Sequence, residues 1–143
     1  MSFLAEMAAP FLLLQFERLG WEMPDLIVPV PRVGLRSLVY GYNQSWLLGK
    51  ALGKMLDVQV KDFLARSFLG SPQAGRTRLE REFSSEKFRL KAKESFSKKT
   101  ILIIDDVMTT GSTINACASK LLEKEPKKLY ALTLARTPLS DRQ

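Results

Sequence analysis

The chain contains no histidine and a single cysteine, Cys117. The first absence excludes every reaction that relies on an imidazole as proton shuttle or metal ligand. The second excludes a disulfide framework within the chain and a zinc ribbon, because both need several thiolates at fixed spacing. It points instead to a reducing, cytoplasmic location. Long apolar runs are missing too. The run from Ala8 to Leu14 is interrupted by Pro10 and is far short of the ~20 residues that span a bilayer, so no membrane partner is expected. The leader Met1-Ser2-Phe3-Leu4-Ala5-Glu6 carries an acid and no base, unlike a secretory signal, and is expected to be packed helix. Acidic residues are in the minority, 15 against 22 lysines and arginines, for a net charge of +7. That balance favours an anionic partner: nucleic acid, an anionic membrane or a phosphorylated small molecule. Charge does not choose among them.

What is present suffices for one domain. The chain has 143 residues with 45% apolar content, enough for a single core. Phe11 and Leu14, and Leu12, Phe16 and Leu19, recur at spacings of three and four, which predicts an amphipathic helix over residues 3–19. Asp25 to Pro31 is short and β-branched with almost no alternation, as in a strand buried on both faces. From Asn43 onward, Leu47, Leu48, Ala51, Leu52, Met55 and Leu56 share one helical face, with Asn43 or Ser45 as cap. A weaker strand is expected through Val58, Val60, Phe63 and Leu64. Residues 67–87 lack any period and are the longest candidate loop. Lys87 to Lys99 carries six basic residues around Phe88, Leu90 and Phe96, read as an edge strand and a turn. Thr100 to Ile104 is the clearest strand, Ile114, Cys117, Ala118, Leu121 and Leu122 mark a helix, and Leu129 to Ala135 closes the chain as a strand. This alternation builds a mostly parallel sheet with helices on both faces. Ligands in such sheets sit beyond the carboxyl ends of the strands.

The segment Ile101-Leu102-Ile103-Ile104-Asp105-Asp106-Val107-Met108-Thr109-Thr110-Gly111-Ser112-Thr113 joins a buried strand to a helix. A helix opening near Ser112 offers unpaired N–H groups and a positive dipole end, and Gly111 permits close backbone approach to an anion. Thr109, Thr110, Ser112 and Thr113 add hydroxyls, which together suit a phosphomonoester. Asp105 and Asp106 would repel by roughly 2 kcal/mol at ~7 Å and an effective dielectric of ~20. A vicinal diol donating to a carboxylate, or Mg²⁺, would relieve that repulsion, so a sugar phosphate with a metal fits all three groups. Each residue also has an ordinary structural role open to it, Asp106 in a turn and Thr113 as a helix cap.

This run resembles the thirteen-residue phosphoribosyl pyrophosphate (PRPP) motif of type I phosphoribosyltransferases. Asp25-Leu26-Ile27-Val28-Pro29-Val30-Pro31, Arg36, Gly41-Tyr42-Asn43-Gln44, Gln73-Ala74-Gly75, Glu80-Arg81 and Ala135-Arg136-Thr137-Pro138 narrow the resemblance to the ComF (competence protein F) branch, over residues 25–138. It implies an α/β fold, a single phosphoribosyltransferase-like domain over residues 1–143, an N-terminal helix or hood segment over 1–24, and a mobile loop over 67–87. It also implies a cytoplasmic glycosyltransferase that moves phosphoribosyl from PRPP to a nucleobase or other nitrogen acceptor. Asp105 and Asp106 would hold the ribose hydroxyls and Mg²⁺. Val107, Met108, Thr109, Thr110, Gly111, Ser112 and Thr113 would wrap the 5′-phosphate, and Arg36 would meet pyrophosphate, with Asp105, Asp106 and Arg36 as the catalytic set. Arg76, Arg78 and Arg81 would reach the leaving group when the loop closes. Three departures stand out. Tyr40 replaces the family arginine before Gly41, Ser84 stands near the usual asparagine, and the cysteine-rich N-terminal zinc module of many members is missing from this sequence. Thr109 stands where the hypoxanthine-guanine group has an acid, which leaves Asp106 as the nearby base.

Two other classes stay open from the residues. One is a non-enzymatic competence or nucleic-acid-binding protein that keeps a PRPP-sensing site, supported by the basic stretch Lys87 to Lys99 with Phe88 and Phe96. The other is a nucleotide hydrolase, since an apolar strand ending in acids also binds Mg²⁺ in P-loop proteins, but Gly49-Lys50-Ala51 does not complete a phosphate loop. A homodimer through the apolar leader helix and Trp21 is a further expectation.

Overall fold

The computed structural model describes residues 2–31, 43–66, 88–91 and 95–137. In chain order the elements are α1 (Ser2–Leu19), β1 (Leu26–Pro29), α2 (Gln44–Leu56), β2 (Gln59–Val60), β3 (Leu64–Arg66), β4 (Phe88–Leu90), β5 (Thr100–Met108), α3 (Ser112–Leu122) and β6 (Lys128–Arg136). Four strands form a parallel sheet in the order β2-β1-β5-β6, while β3 and β4 pair antiparallel as a separate two-stranded sheet.

Over Ile101 to Ile104 the central strand β5 has no polar face. Ile101 and Ile103 enter one core with Leu26, Val28, Ile114, Cys117 and Leu121, beneath α3 and the β3–β4 pair. Leu102 and Ile104 enter a second core with Ile27, Leu12, Phe16, Leu48 and Leu52, beneath α1 and α2. Period-two alternation with apolar residues at both phases is what a strand between two helical layers requires. Register is pinned at the start of the strands, where Asp25 N donates to Thr100 O at 2.8 Å and Asp25 Oδ2 accepts from Thr100 N at 2.7 Å.

The expected helices and main strands are present, with three differences. The stretch around Val58 to Leu64 divides: β2 joins the parallel sheet and β3 leaves it to pair with β4. The β5 strand runs on past Ile104 to Met108, because β6 supplies partners as far as Arg136. Helix α1 is apolar on both sides rather than amphipathic. Ala5, Ala9, Leu12 and Phe16 are buried, whereas Phe3 (67% exposed), Leu4, Met7, Phe11 (70%), Leu14 and Leu19 face outward. Met55 is exposed as well. No helix among the described residues is long and apolar enough to cross a membrane.

Helix α2 approaches the sheet through Gly49 and Gly53. A β-carbon on Gly49 would lie 3.0 Å from Pro29 Cγ, and one on Gly53 would lie 2.7 Å from the Val58 carbonyl oxygen and 2.7 Å from Val60 Cγ2. In an exposed helix, Gly→Ala stabilises by about 1 kcal/mol. Here the sign reverses. Gly53→Ala is expected to cost about 1–3 kcal/mol, read as a lower urea midpoint with an unchanged m-value.

Candidate active site

From β1 the chain crosses by α2 to β2 on one side, and from β5 it crosses by α3 to β6 on the other. The carboxyl ends of β1 and β5 are adjacent, with Pro29 opposite Ile104. Connections therefore diverge there and leave a crevice, the usual ligand position of open parallel sheets. Asp105 and Asp106 are the first residues of β5 beyond the apolar run.

The two acids are not equivalent. Asp105 is buried, at 8% exposure, and its Oδ1 accepts from Ser45 Oγ at 2.9 Å and from Asp106 N at 3.0 Å. Asp106 is half-buried, and its Oδ1 accepts from Val107 N at 2.9 Å. Desolvation pushes the Asp105 carboxyl up to about 6, against the downward pull of the Ser45 hydroxyl; the negative neighbour Asp106 adds to the rise. Burial, with a contribution from the Asp105 charge, also pushes the Cys117 thiol up to about 12, so this cysteine is an inert core group. The repulsion expected between the acids is thus relieved in part by donors from the protein itself.

The turn that follows holds its hydroxyls at the surface. Thr109, Thr110 and Thr113 are exposed, and Gly111, at φ 81°, stands at the N-cap of α3 in the left-handed region that glycine adopts without strain. Thr110 Oγ1 donates to Ser112 Oγ at 3.1 Å and accepts from Ser112 N at 3.3 Å. The first intrahelical bond is Asn115 N to Gly111 O at 2.9 Å. The amides of Thr113 and Ile114 meet no acceptor among the described residues, which leaves two donors at the positive end of a helix. The turn is braced from β6, where Thr137 N donates to Met108 O at 3.0 Å.

Asn43 and Ser45, read from sequence as capping residues, do more. Asn43 Oδ1 caps α2 by accepting from Ser45 N at 3.1 Å, while its Nδ2 donates to Val30 O at 3.0 Å, just past the end of β1. Ser45 is buried and reaches Asp105 across 60 residues of sequence. The local signal Asn-Gln-Ser at a helix start gives the cap alone. The link to β5 exists only once the sheet is assembled.

Arg36, Tyr40, Tyr42, Arg76, Arg78, Arg81 and Ser84, with the candidate loop 67–87, lie outside the described residues. Of the basic stretch, Arg89, Lys91, Lys98 and Lys99 are described and exposed, and Lys91 pairs with Asp62. Phe88 and Phe96 are buried, Phe96 against Phe63 with ring centroids 4.7 Å apart. The aromatic support for nucleic-acid binding is thereby corrected: neither ring is free to stack on a base. The nearby Lys127 and Lys128 both pair with Glu22, which holds the Glu22 carboxyl down at about 2.

No cluster of three or more potential metal ligands occurs among the described residues. Mg²⁺ keeps several waters and commonly takes one or two carboxylates plus substrate oxygens. The Asp105–Asp106 pair fits that minimal donor set; it does not make an all-protein cage.

Asp105 also makes stability depend on pH. Its folded value of about 6 lies above the ordinary 3.8, so between those values the folded chain holds a proton that the unfolded chain has lost. Stability then falls as pH rises through the window and levels off above it. Asp105→Asn is expected to flatten that slope and to raise stability above the window by about 1–2 kcal/mol. Urea midpoints measured on both sides of the window check this.

Comparison with known proteins bears on the fold and the family. The family model of the phosphoribosyl transferase domain matches residues 5–142. Competence protein F of Haemophilus influenzae is 35% identical over 106 residues, covering 72% of this chain and 46% of that protein. DNA utilization protein YhgH of Escherichia coli O157:H7 is 32% identical over 120 residues, covering 82% of this chain and 52% of that protein. The chain thus spans about half the length of the curated relatives it matches. Among solved structures, a purine phosphoribosyltransferase from Pyrococcus horikoshii superposes with a TM-score of 0.60 at 20% identity, covering 100% of this chain and 80% of that one. That likeness gives the fold: an α/β, type I phosphoribosyltransferase-like sheet with helices on both faces. With the family model matched over almost its whole length, the chain belongs to the phosphoribosyl transferase domain family, in the branch of competence protein F.

Proposed function

We propose that the crevice at the ends of β1 and β5 binds PRPP, and that the protein transfers its phosphoribosyl group to a nitrogen acceptor with release of pyrophosphate. One observation carries this reading. The hydroxyl turn 109–113, where the amides of Thr113 and Ile114 meet no acceptor among the described residues, follows two residues after an acid pair at the switch point of the sheet. A phosphate on the turn and a furanose diol on the acids need a ligand whose two groups are one short linkage apart, as in a ribose 5-phosphate unit.

In this reading the chain acts by position and charge. The turn anchors the 5′-phosphate, and the carboxylates accept from the ribose hydroxyls. Asp106, with Asp105 beside it, would hold Mg²⁺, which when bound neutralises charge on a diphosphate. The C1–oxygen bond to pyrophosphate breaks, a C1–nitrogen bond forms, and Asp106 is the nearest described base for the proton that the acceptor nitrogen loses. Arg36, assigned by resemblance, would meet the departing pyrophosphate through its planar fork.

The names of the two relatives support a second reading, a role in DNA handling in which the same pocket senses PRPP. The exposed Arg89, Lys98 and Lys99 supply its electrostatic footing. Pyrophosphate release on addition of a nucleobase favours the transferase; salt-dependent affinity for single strands without such release favours the sensor. Self-association is assigned to the outward apolar face of α1, because a helix that carries large apolar residues on its outer side as well as its inner one is normally covered on both. Phe11→Glu is then expected to leave only monomer in sedimentation.

Calorimetry with PRPP and Mg²⁺ tests the ligand. Asp105→Asn combined with Asp106→Asn should abolish Mg²⁺-dependent binding with the fold retained, and unchanged affinity would remove the assignment. Arg36→Ala should weaken pyrophosphate on the order of 10²-fold and ribose 5-phosphate far less. Equal losses for both ligands would contradict its role.

A further inference from the structure

Buried polar side chains are scarce in this protein. Among the described residues Ser45, Thr100 and Asp105 are buried, and two of these three are bonded to each other. Thr100 lies at the far end of β5, where its backbone N–H donates to Asp25 Oδ2. The Ser45–Asp105 contact lies instead at the crevice, and it joins the first turn of α2 to the end of β5 with an oxygen–oxygen distance of 2.9 Å. Leaving either group unsatisfied would be destabilising, whereas an apolar pair at this position would need no such match.

The contact is itself held. Asn43 uses both ends of its amide, accepting from Ser45 N and donating to Val30 O. Val30 N in turn donates to Ile104 O at 2.9 Å, one residue before Asp105. A closed circuit therefore runs from Val30 through Asn43 and Ser45 to Asp105 and back along β5 to Ile104. It fixes the start of α2 against both strands that flank the crevice. Within that circuit Asp105 Oδ1 carries two donors, Ser45 Oγ and Asp106 N, while its Oδ2 meets no donor among the described residues.

We propose that Ser45, braced by Asn43, is a positioning residue of the site: it holds one oxygen of Asp105 so that the other is presented to a vicinal diol. This rests on the PRPP reading and adds to it the residue that decides how the acid meets the sugar. A carboxylate turned freely about its last bond would offer either oxygen in many directions. One with Oδ1 already tied presents Oδ2 in a fixed orientation, and that geometric selection distinguishes ribose from a sugar lacking a hydroxyl. Ser45 touches no ligand in this scheme and acts through Asp105.

The test compares ribose 5-phosphate with 2-deoxyribose 5-phosphate by calorimetry in the presence of Mg²⁺, on the intact chain. Both ligands share the phosphate that the 109–113 turn anchors; only the first has the complete diol. The wild type should prefer ribose 5-phosphate by about tenfold or more, the worth of one hydrogen bond to a charged group. Ser45→Ala should bring that ratio close to one while affinity for 2-deoxyribose 5-phosphate is kept, and Ser45→Thr, which restores a hydroxyl, should recover part of it. Ser45→Cys, a near-isosteric weak donor, serves the same comparison should the alanine variant not fold. Equal weakening of both ligands, or an undiminished preference in the variants, would overturn the inference and leave Ser45 as an anchor of α2. Absence of any preference in the wild type would instead sink the diol reading of Asp105 itself, a failure visible before any substitution is made.

Discussion

Burial of β5 on both faces is the constraint from which the rest of the molecule follows. Ile101, Leu102, Ile103 and Ile104 are fully buried, so neither phase of the strand can carry a polar side chain until the strand emerges from between its helical layers. The first place where it can is Asp105. Parallel pairing with β1 and β6 then sends the two crossover helices to opposite sides, and the crevice opens at the point where the acids begin. Core and site are thus consecutive segments of one strand, and the site inherits the rigidity of the core.

That inheritance has a cost. Asp105 lies at the boundary where water is being excluded, and its carboxyl is pushed up to about 6 despite two donors. A protein selected for stability alone would place an amide or an apolar residue there. An acid held in a partly desolvated setting is the arrangement of a binding or reacting group. Asp106, half-buried beside it, keeps its contact local, to Val107 N. Adjacent residues of one type are therefore held differently: Asp105 is tied by one oxygen to α2, and Asp106 bonds only to the strand that carries it.

Several elements were legible from residue order. The period of three and four from Ile114 to Leu122 gave α3, the unalternating apolar run gave β5, and Gly111, between Thr110 and Ser112, marked the place where the backbone can come close to an anion. These signals are local, since each depends on residues within one or two helical turns. The division of residues 58–66 between two sheets was not legible, because β2 and β3 are each too short to carry a pattern and their partners, β1 and β4, are remote in sequence. The outward face of α1 was misjudged for a related reason. With large apolar residues on two opposite sides, its spacing alone could not say which of Leu12 and Phe11 points inward. The burial of Phe88 and Phe96 beneath a basic surface likewise depends on a packing partner, Phe63, that no window of sequence contains.

By itself the sequence determined the alternation of strand and helix, the position of the acid pair and the hydroxyl turn, and the exclusion of imidazole chemistry, because these are properties of residue type and near-neighbour spacing. Only the tertiary structure decided that Asp105 is buried while Asp106 is half-exposed, and that Ser45 and Asn43 belong to the same crevice. Contacts spanning 60 and 13 residues come into being when the parallel sheet brings the ends of β1 and β5 side by side, and hydrogen bonds formed there obey distance in space, which residue order does not encode.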